Sequence, residues 1–154
     1  MIELKRILVP TDFSDFSAEA LRYGCALAEK FESELHLFHV LEVHPSGVPG
    51  FGGGLALTTY IKESKEAAEK SMSKLLGAEW EQGRQVVRAT AEGSPFVEII
   101  RYAKENDIDL VVMGTHGRSA LSQMLIGGVA EKVVRKSPCA VLTVRPSQHQ
   151  FVMP

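Results

Sequence analysis

The chain has 154 residues, 45% of them apolar and 23% charged, and its 17 basic and 19 acidic side chains leave a formal net charge of −2. Such a composition suits one ordinary globular domain that buries roughly 70% of its unfolded surface, and the balanced charge gives no overall field for nucleic acid or an anionic membrane. No apolar run approaches the roughly 20 residues that span a bilayer, and Met1 to Arg6 leads into a short strand instead of the long apolar core of a signal peptide; a cytoplasmic protein without nucleic-acid or membrane partners is expected.

Lys5 to Pro10 (KRILVP) carries a continuous apolar run, the pattern of a strand buried on both faces. The turn Thr11-Asp12-Phe13-Ser14 follows, with Ser14 or Asp15 able to cap a helix. Phe16, Ala20, Tyr23, Gly24, Leu27, Ala28 and Phe31 then recur at helical spacing. Leu35 to Val40 (LHLFHV) is a second strand, with Leu35, Leu37 and His39 on one face and His36, Phe38 and Val40 on the other. Glu42 to Gly54 holds two prolines and five glycines in thirteen residues and reads as a long loop. Leu57 to Gln82 reads as one long helix whose Lys and Glu residues form a solvated face. Gln85 to Thr90 is a third strand, Ser94-Pro95 opens a helix as cap and first-turn proline, and Asp109 to Met113 is the fourth strand. Val129 to Lys136 is a helix stopped by Ser137-Pro138, and Ala140 to Val144 is the fifth strand. Of the two cysteines, Cys25 falls in a helical pattern and Cys139 just before a strand; both read as reduced thiols packed as small apolar groups, not as a disulfide.

Strands and helices alternate, and the strands are apolar enough to be covered on both sides. The fold expected is α/β: a single open parallel five-stranded sheet with helices on both faces, Rossmann-like, in the order 3-2-1-4-5. One domain is expected over residues 1–146, with 147–154 as a C-terminal tail. Ligands of such sheets sit beyond the carboxyl ends of the strands, where the strand order reverses.

The chemistry concentrates between Asp109 and Val129. A strand ending in Met113 breaks into Gly114-Thr115-His116-Gly117, and nine residues separate Gly117 from Gly127 and the helix that follows. Glycines let the backbone turn sharply and let a ligand approach where a Cβ would collide, and a helix start offers free N–H groups to an anion. The sequence contains no G-x-x-x-x-G-K-[ST], no G-x-G-x-x-G after the first strand and no G-x-S-x-G, so a nucleotide site here has another design.

The glycine pattern resembles that of the universal stress protein family. Val9-Pro10-Thr11-Asp12-Phe13-Ser14, His39-Val40 and Pro138 to Val144 match the same family at the same places in the chain. In the nucleotide-binding branch the resemblance implies an adenine nucleotide (ATP, ADP or AMP) lying across the strand ends. Pro10, Thr11 and Asp12 would line the ribose side, and backbone at Val40 would meet the adenine edge. Met113, Gly114, His116, Gly117, Arg118 and Ser119 would follow the sugar and phosphates, and Gly127, Gly128, Val129 and Ala130 would close around the terminal phosphates. Asp12 would repel phosphates unless it holds water, ribose hydroxyls or a nucleotide-bound Mg²⁺. The chain departs from the motif at Gly128, where the family has Ser or Thr, so an amide is kept and a hydroxyl lost.

Plainer readings stand beside these. Gly114 and Gly117 would equally serve a tight loop under a helix, and Asp12 a helix cap. His116 reads as a loop residue offering its backbone. His36 and His39 lie on opposite strand faces and cannot share a metal; His44 and His149 fall in loop and tail with no partner visible. No metal held by protein ligands alone is expected, and no catalytic residue is assigned. The function expected is a nucleotide-binding stress or signalling module acting through an unidentified protein partner; the alternatives are a weak ATPase or phosphoryl-transfer enzyme and a ligand-free interaction protein. Ala140 to Val144 would be an exposed sheet edge, and family members commonly dimerise through this strand, so a homodimer is expected.

Overall fold

The computed structural model of the chain describes residues 1–43, 54–116 and 126–145. The Gly-rich loop from Ser46 to Gly53, His44, Gly117, Arg118, Ser119 and the tail with His149 therefore lie outside the described residues.

Ile7, Leu8 and Val9 of β1 (Arg6–Pro10) are all fully buried. A strand with no exposed face must sit inside a sheet covered on both sides. β1 pairs in parallel with β2 (Glu34–Leu41) on one side and β4 (Leu110–Gly114) on the other. With β3 (Val86–Glu92) beyond β2 and β5 (Ala140–Val144) beyond β4, the five parallel strands run β3-β2-β1-β4-β5, the order expected.

Alternation of side chains splits the core in two. On one face Ile7, Val9, Leu35 and Leu37 meet Ala20, Leu21 and Ala28 of α1 (Asp15–Phe31) and Met72 of α2 (Gly54–Met72). On the other, Leu8, Phe38, Val111 and Met113 meet Ile99 and Ala103 of one helix and Ala130 and Val133 of another. Ser14 caps α1 by accepting from the Ser17 amide at 3.3 Å, and Glu32 ends it in the left-handed region at φ 55°. His36 is a core histidine whose polar atoms are both satisfied. Its Nε2 donates to Glu34 Oε1 at 2.6 Å and its Nδ1 meets the Tyr102 hydroxyl at 2.9 Å.

The stretch expected as one helix from Leu57 to Gln82 is two. α2 begins earlier, at Gly54, and stops at Met72, and the short α3 (Ala78–Glu81) follows with Gly77 as its N-cap. The chain leaves α2 before Leu75 and Leu76, which are both partly buried against the α1-side core. The exit is made by the tighter bonds Lys74 N–H to Ser71 O and Leu75 N–H to Met72 O. β4 starts at Leu110, one residue later than expected, because the Asp109 carboxylate accepts from the Lys5 and Arg6 amides at 2.7 and 2.9 Å and ties β4 to the start of β1. α4 (Pro95–Glu105) has Ser94 at its N-cap and proline in its first turn, as expected, although the Ser94 side chain makes no capping bond. α5 spans Gly128–Lys136.

Candidate functional site

A cavity of about 740 Å³ opens at the carboxyl ends of the strands, where β1 and β4 lie side by side and the chain leaves them to opposite directions of the sheet. Pro10, Thr11, Asp12, Val40, Met113, Gly114, His116, Gly127, Gly128, Val129 and Ala130 all line it. These are the candidate residues that fall within the described parts of the chain.

The β1–α1 turn forms one wall, and its hydrogen bonds run in a single direction. Ser17 Oγ donates to Ser14 O at 2.9 Å, so Thr11 Oγ1, 3.1 Å away, donates to Ser17 and accepts from the Phe13 amide at 3.0 Å. The Thr11 hydroxyl thus spends its proton inside the turn. Asp12 Oδ1 accepts from the Ser14 amide at 3.0 Å and from the Ser14 hydroxyl at 2.5 Å, so Asp12 braces the residue that caps α1. Phe13 has φ 64°, a left-handed conformation that costs a bulky residue on the order of 1–3 kcal/mol and is held only by its surroundings. Its ring lies 4.6 Å from the ring of His39, centroid to centroid.

The end of β4 and the start of α5 form the opposite wall. Gly114 and Gly127 leave room for protein backbone: a Cβ at Gly114 would lie 2.9 Å from Phe16 O, and one at Gly127 3.0 Å from Thr115 O. Thr115 is the joint, for its amide donates to Val144 O at 3.0 Å and its carbonyl accepts from the Gly127 amide at 2.5 Å. The Gly127 amide is thereby already used. The first intrahelical bond of α5 runs from Glu131 N–H to Gly127 O, so the amides of Gly128, Val129 and Ala130 have no helical acceptor. A Cβ at Gly128 would meet nothing within 4 Å. This end of the cavity presents backbone N–H groups and the positive end of a helix dipole, an arrangement that favours an anion.

A third wall escaped the sequence reading. Tyr60, Ile61, Ser64, Ala67, Ala68 and Ser71 present one face of α2 to the cavity, and His39, Leu41 and Glu42 close the end of β2. The signal was present: serine and alanine at positions 64, 68 and 71 interrupt an apolar stripe where a core helix would carry large residues. Among the described lining residues the charged side chains are two carboxylates, Asp12 and Glu42, with no Lys or Arg. Among the described residues no group of three or more His, Cys, Asp or Glu is placed to hold a metal ion. Both cysteines are free thiols; burial pushes Cys25 up to about 11, and burial likewise raises Cys139, so neither is a thiolate at neutral pH. Among the described residues, no helix is long and apolar enough to cross a membrane.

Residues 3–145 match the model of the universal stress protein family. The chain is 36% identical over 142 residues to the universal stress protein MJ0531 of Methanocaldococcus jannaschii, covering 92% of this chain and 82% of that protein. Its fold superposes on the universal stress protein UspA from Lactobacillus plantarum with a TM-score of 0.83 at 23% identity, over 94% of this chain and 100% of that one. A universal stress protein from Archaeoglobus fulgidus in complex with dAMP superposes with a TM-score of 0.58 at 21% identity, over 92% and 96% of the two chains.

Proposed function

The chain belongs to the universal stress protein family, and on that premise we propose that it binds an adenine nucleotide and works in the cytoplasm as a stress-response or signalling module, through contacts with a partner protein. The observation that carries this reading is the start of α5. Three amides at Gly128, Val129 and Ala130, without an acceptor among the described residues, line a cavity that the β1 and β4 turns also line, with open space at the Gly128 Cβ position. The dAMP complex of the Archaeoglobus fulgidus protein supports an adenine ligand for the same fold.

In this reading the α5 amides hold the phosphates, and Pro10, Thr11 and Asp12 flank the ribose. Asp12 meets ribose hydroxyls or a nucleotide-bound Mg²⁺, and Val40 backbone faces the base. Thr11 contributes shape and not a donated proton, because its hydroxyl is committed to Ser17. Gly117, Arg118 and Ser119 complete the phosphate side by resemblance to the family motif. The protein acts by binding and not by hydrolysis, and it dimerises through β5. Calorimetric titration with ATP, ADP and AMP is expected to give saturable heat with one nucleotide per chain; no heat at millimolar nucleotide sinks the reading. Phosphate release from ATP is expected to stay at background, and sustained turnover by purified protein would make it an enzyme instead.

A further inference from the structure

The two ends of α2 are anchored unequally. Among its described side chains only Ala68 and Met72 are buried, at 4% and 1% exposure, and Met72 alone belongs to either half of the core. That end is also tied to β3, since Arg88 Nε donates to Met72 O at 3.3 Å. From Gly54 to Ala67, about 20 Å of helix at ~1.5 Å per residue, every described side chain is half-buried or exposed. Tyr60 keeps 45% of its surface in solvent, and Thr58 turns its hydroxyl onto the Gly54 carbonyl of its own helix. The first turn carries no acidic residue to offset the helix dipole.

Tyr60, Ile61, Ser64 and Ala67 face the cavity instead of the core. The other walls of the cavity are tied to the sheet. His39 Nδ1 donates to the Thr11 carbonyl at 2.7 Å, the Thr11 hydroxyl is bonded to Ser17, and the Thr115 amide is bonded to Val144. A helix of about 12–15 residues is marginal in water and draws its stability from what its apolar face packs on. This stretch packs on the cavity, so the contents of the cavity decide how firmly it is held.

Resting on the adenine-nucleotide reading, we infer that α2 from Gly54 to Ala67 is a closing wall, firmly helical when nucleotide fills the cavity and opening from the Ala68–Met72 anchor when it does not. Lys62, Glu63, Lys65 and Glu66 are all exposed on its outward side. Occupancy of the cavity therefore sets the order of a charged surface, which a partner protein can read.

Amide hydrogen exchange and AMP calorimetry test this together. Without nucleotide, the amides of residues 58–67 are expected to exchange at least ~10-fold faster than those of 68–72, and saturating AMP is expected to remove most of the difference. A second arm uses two pairs of exposed residues, each losing one Lys and one Glu: Lys62→Gly with Glu63→Gly in the wall, and Glu69→Gly with Lys70→Gly at the anchor. Glycine weakens a helix interior wherever it is placed. In the closing wall that weakening is expected as about 10-fold weaker AMP binding at an unchanged urea midpoint, and at the anchor as a lower midpoint at unchanged affinity. A rigid wall predicts that both pairs lower the midpoint and neither alters affinity; that outcome overturns the proposal. Equal protection along α2 in nucleotide-free wild type that still binds AMP overturns it alone, even if a variant fails to fold. A wild type that binds no AMP overturns the nucleotide reading and the closure with it.

Discussion

Gly128 is the position where one atom changes the ligand's environment most simply. It is the first residue of α5, its φ is not positive, and a Cβ there would meet nothing within 4 Å. Gly128→Ser is therefore free of steric cost and adds a hydroxyl beside the unpaired amides. A hydrogen bond to a charged group contributes about 1.5–3 kcal/mol, so the variant is expected to bind ATP roughly 10- to 100-fold more tightly, with a smaller gain for AMP; calorimetry on the two proteins checks it, and equal ATP affinities would remove the phosphates from this end of the cavity. At this scale the sequence is legible in identity more than in role. The spacing of Gly114 and Gly127 marks a turn, but it does not say that the missing Cβ atoms make way for the carbonyls of Phe16 and Thr115. Thr11 is visible as a candidate, yet the direction of its hydroxyl is set by Ser17 in the next element. His39 reads as a strand histidine until the Thr11 carbonyl and the Phe13 ring are seen to hold it.

Among the elements, the seating of α1 on β1 places the turn that forms one wall of the cavity. Gly24 permits it: a Cβ there would lie 2.4 Å from Val9 Cγ2, and Val9 is fully buried with a stiff, branched side chain. Gly24→Ala gains about 1 kcal/mol in helix propensity but forces α1 off the sheet, and overpacking of this kind costs about 1–3 kcal/mol. The expected result is a net loss of stability, seen as a lower urea midpoint at unchanged slope; a variant as stable as the wild type would contradict it. Strands β1 and β4 are legible because parallel strands covered on both sides read as unbroken apolar runs. The break between α2 and α3 is not, since the Lys, Glu and Ala pattern continues through it, and the tighter bonds to Ser71 O and Met72 O that end α2 leave no mark in the sequence. The cavity face of α2 is half legible: its small residues are plain in the sequence, but only the fold sets them opposite His39 and Glu42.

For the whole molecule, the open question in the fold is its edge at β5. Among the described residues the strand pairs with β4 alone and stands last in the sheet order, so its outer backbone groups have no strand partner there. Ala140 is exposed, and Leu142 keeps 36% of its surface in contact with solvent, so the edge is apolar as well as unpaired. Natural edges are usually blunted by charge, proline or a bulge, and Ala140–Val144 (AVLTV) carries none of the first two. A second copy related by a two-fold axis would satisfy both deficits at once, because antiparallel pairing of identical strands covers the β5 edge of each copy. Such a dimer would also bear on the site: Val144 O accepts from the Thr115 amide, so a partner held at β5 would be linked by one strand to the joint that seats α5. Light scattering at micromolar concentration is expected to give the mass of two chains. Leu142→Asp, which sets like charges close together across the axis and removes an apolar contact, is expected to give one chain while nucleotide binding persists. A wild type that is monomeric, or a Leu142→Asp variant that remains fully dimeric, rules out β5 as the interface.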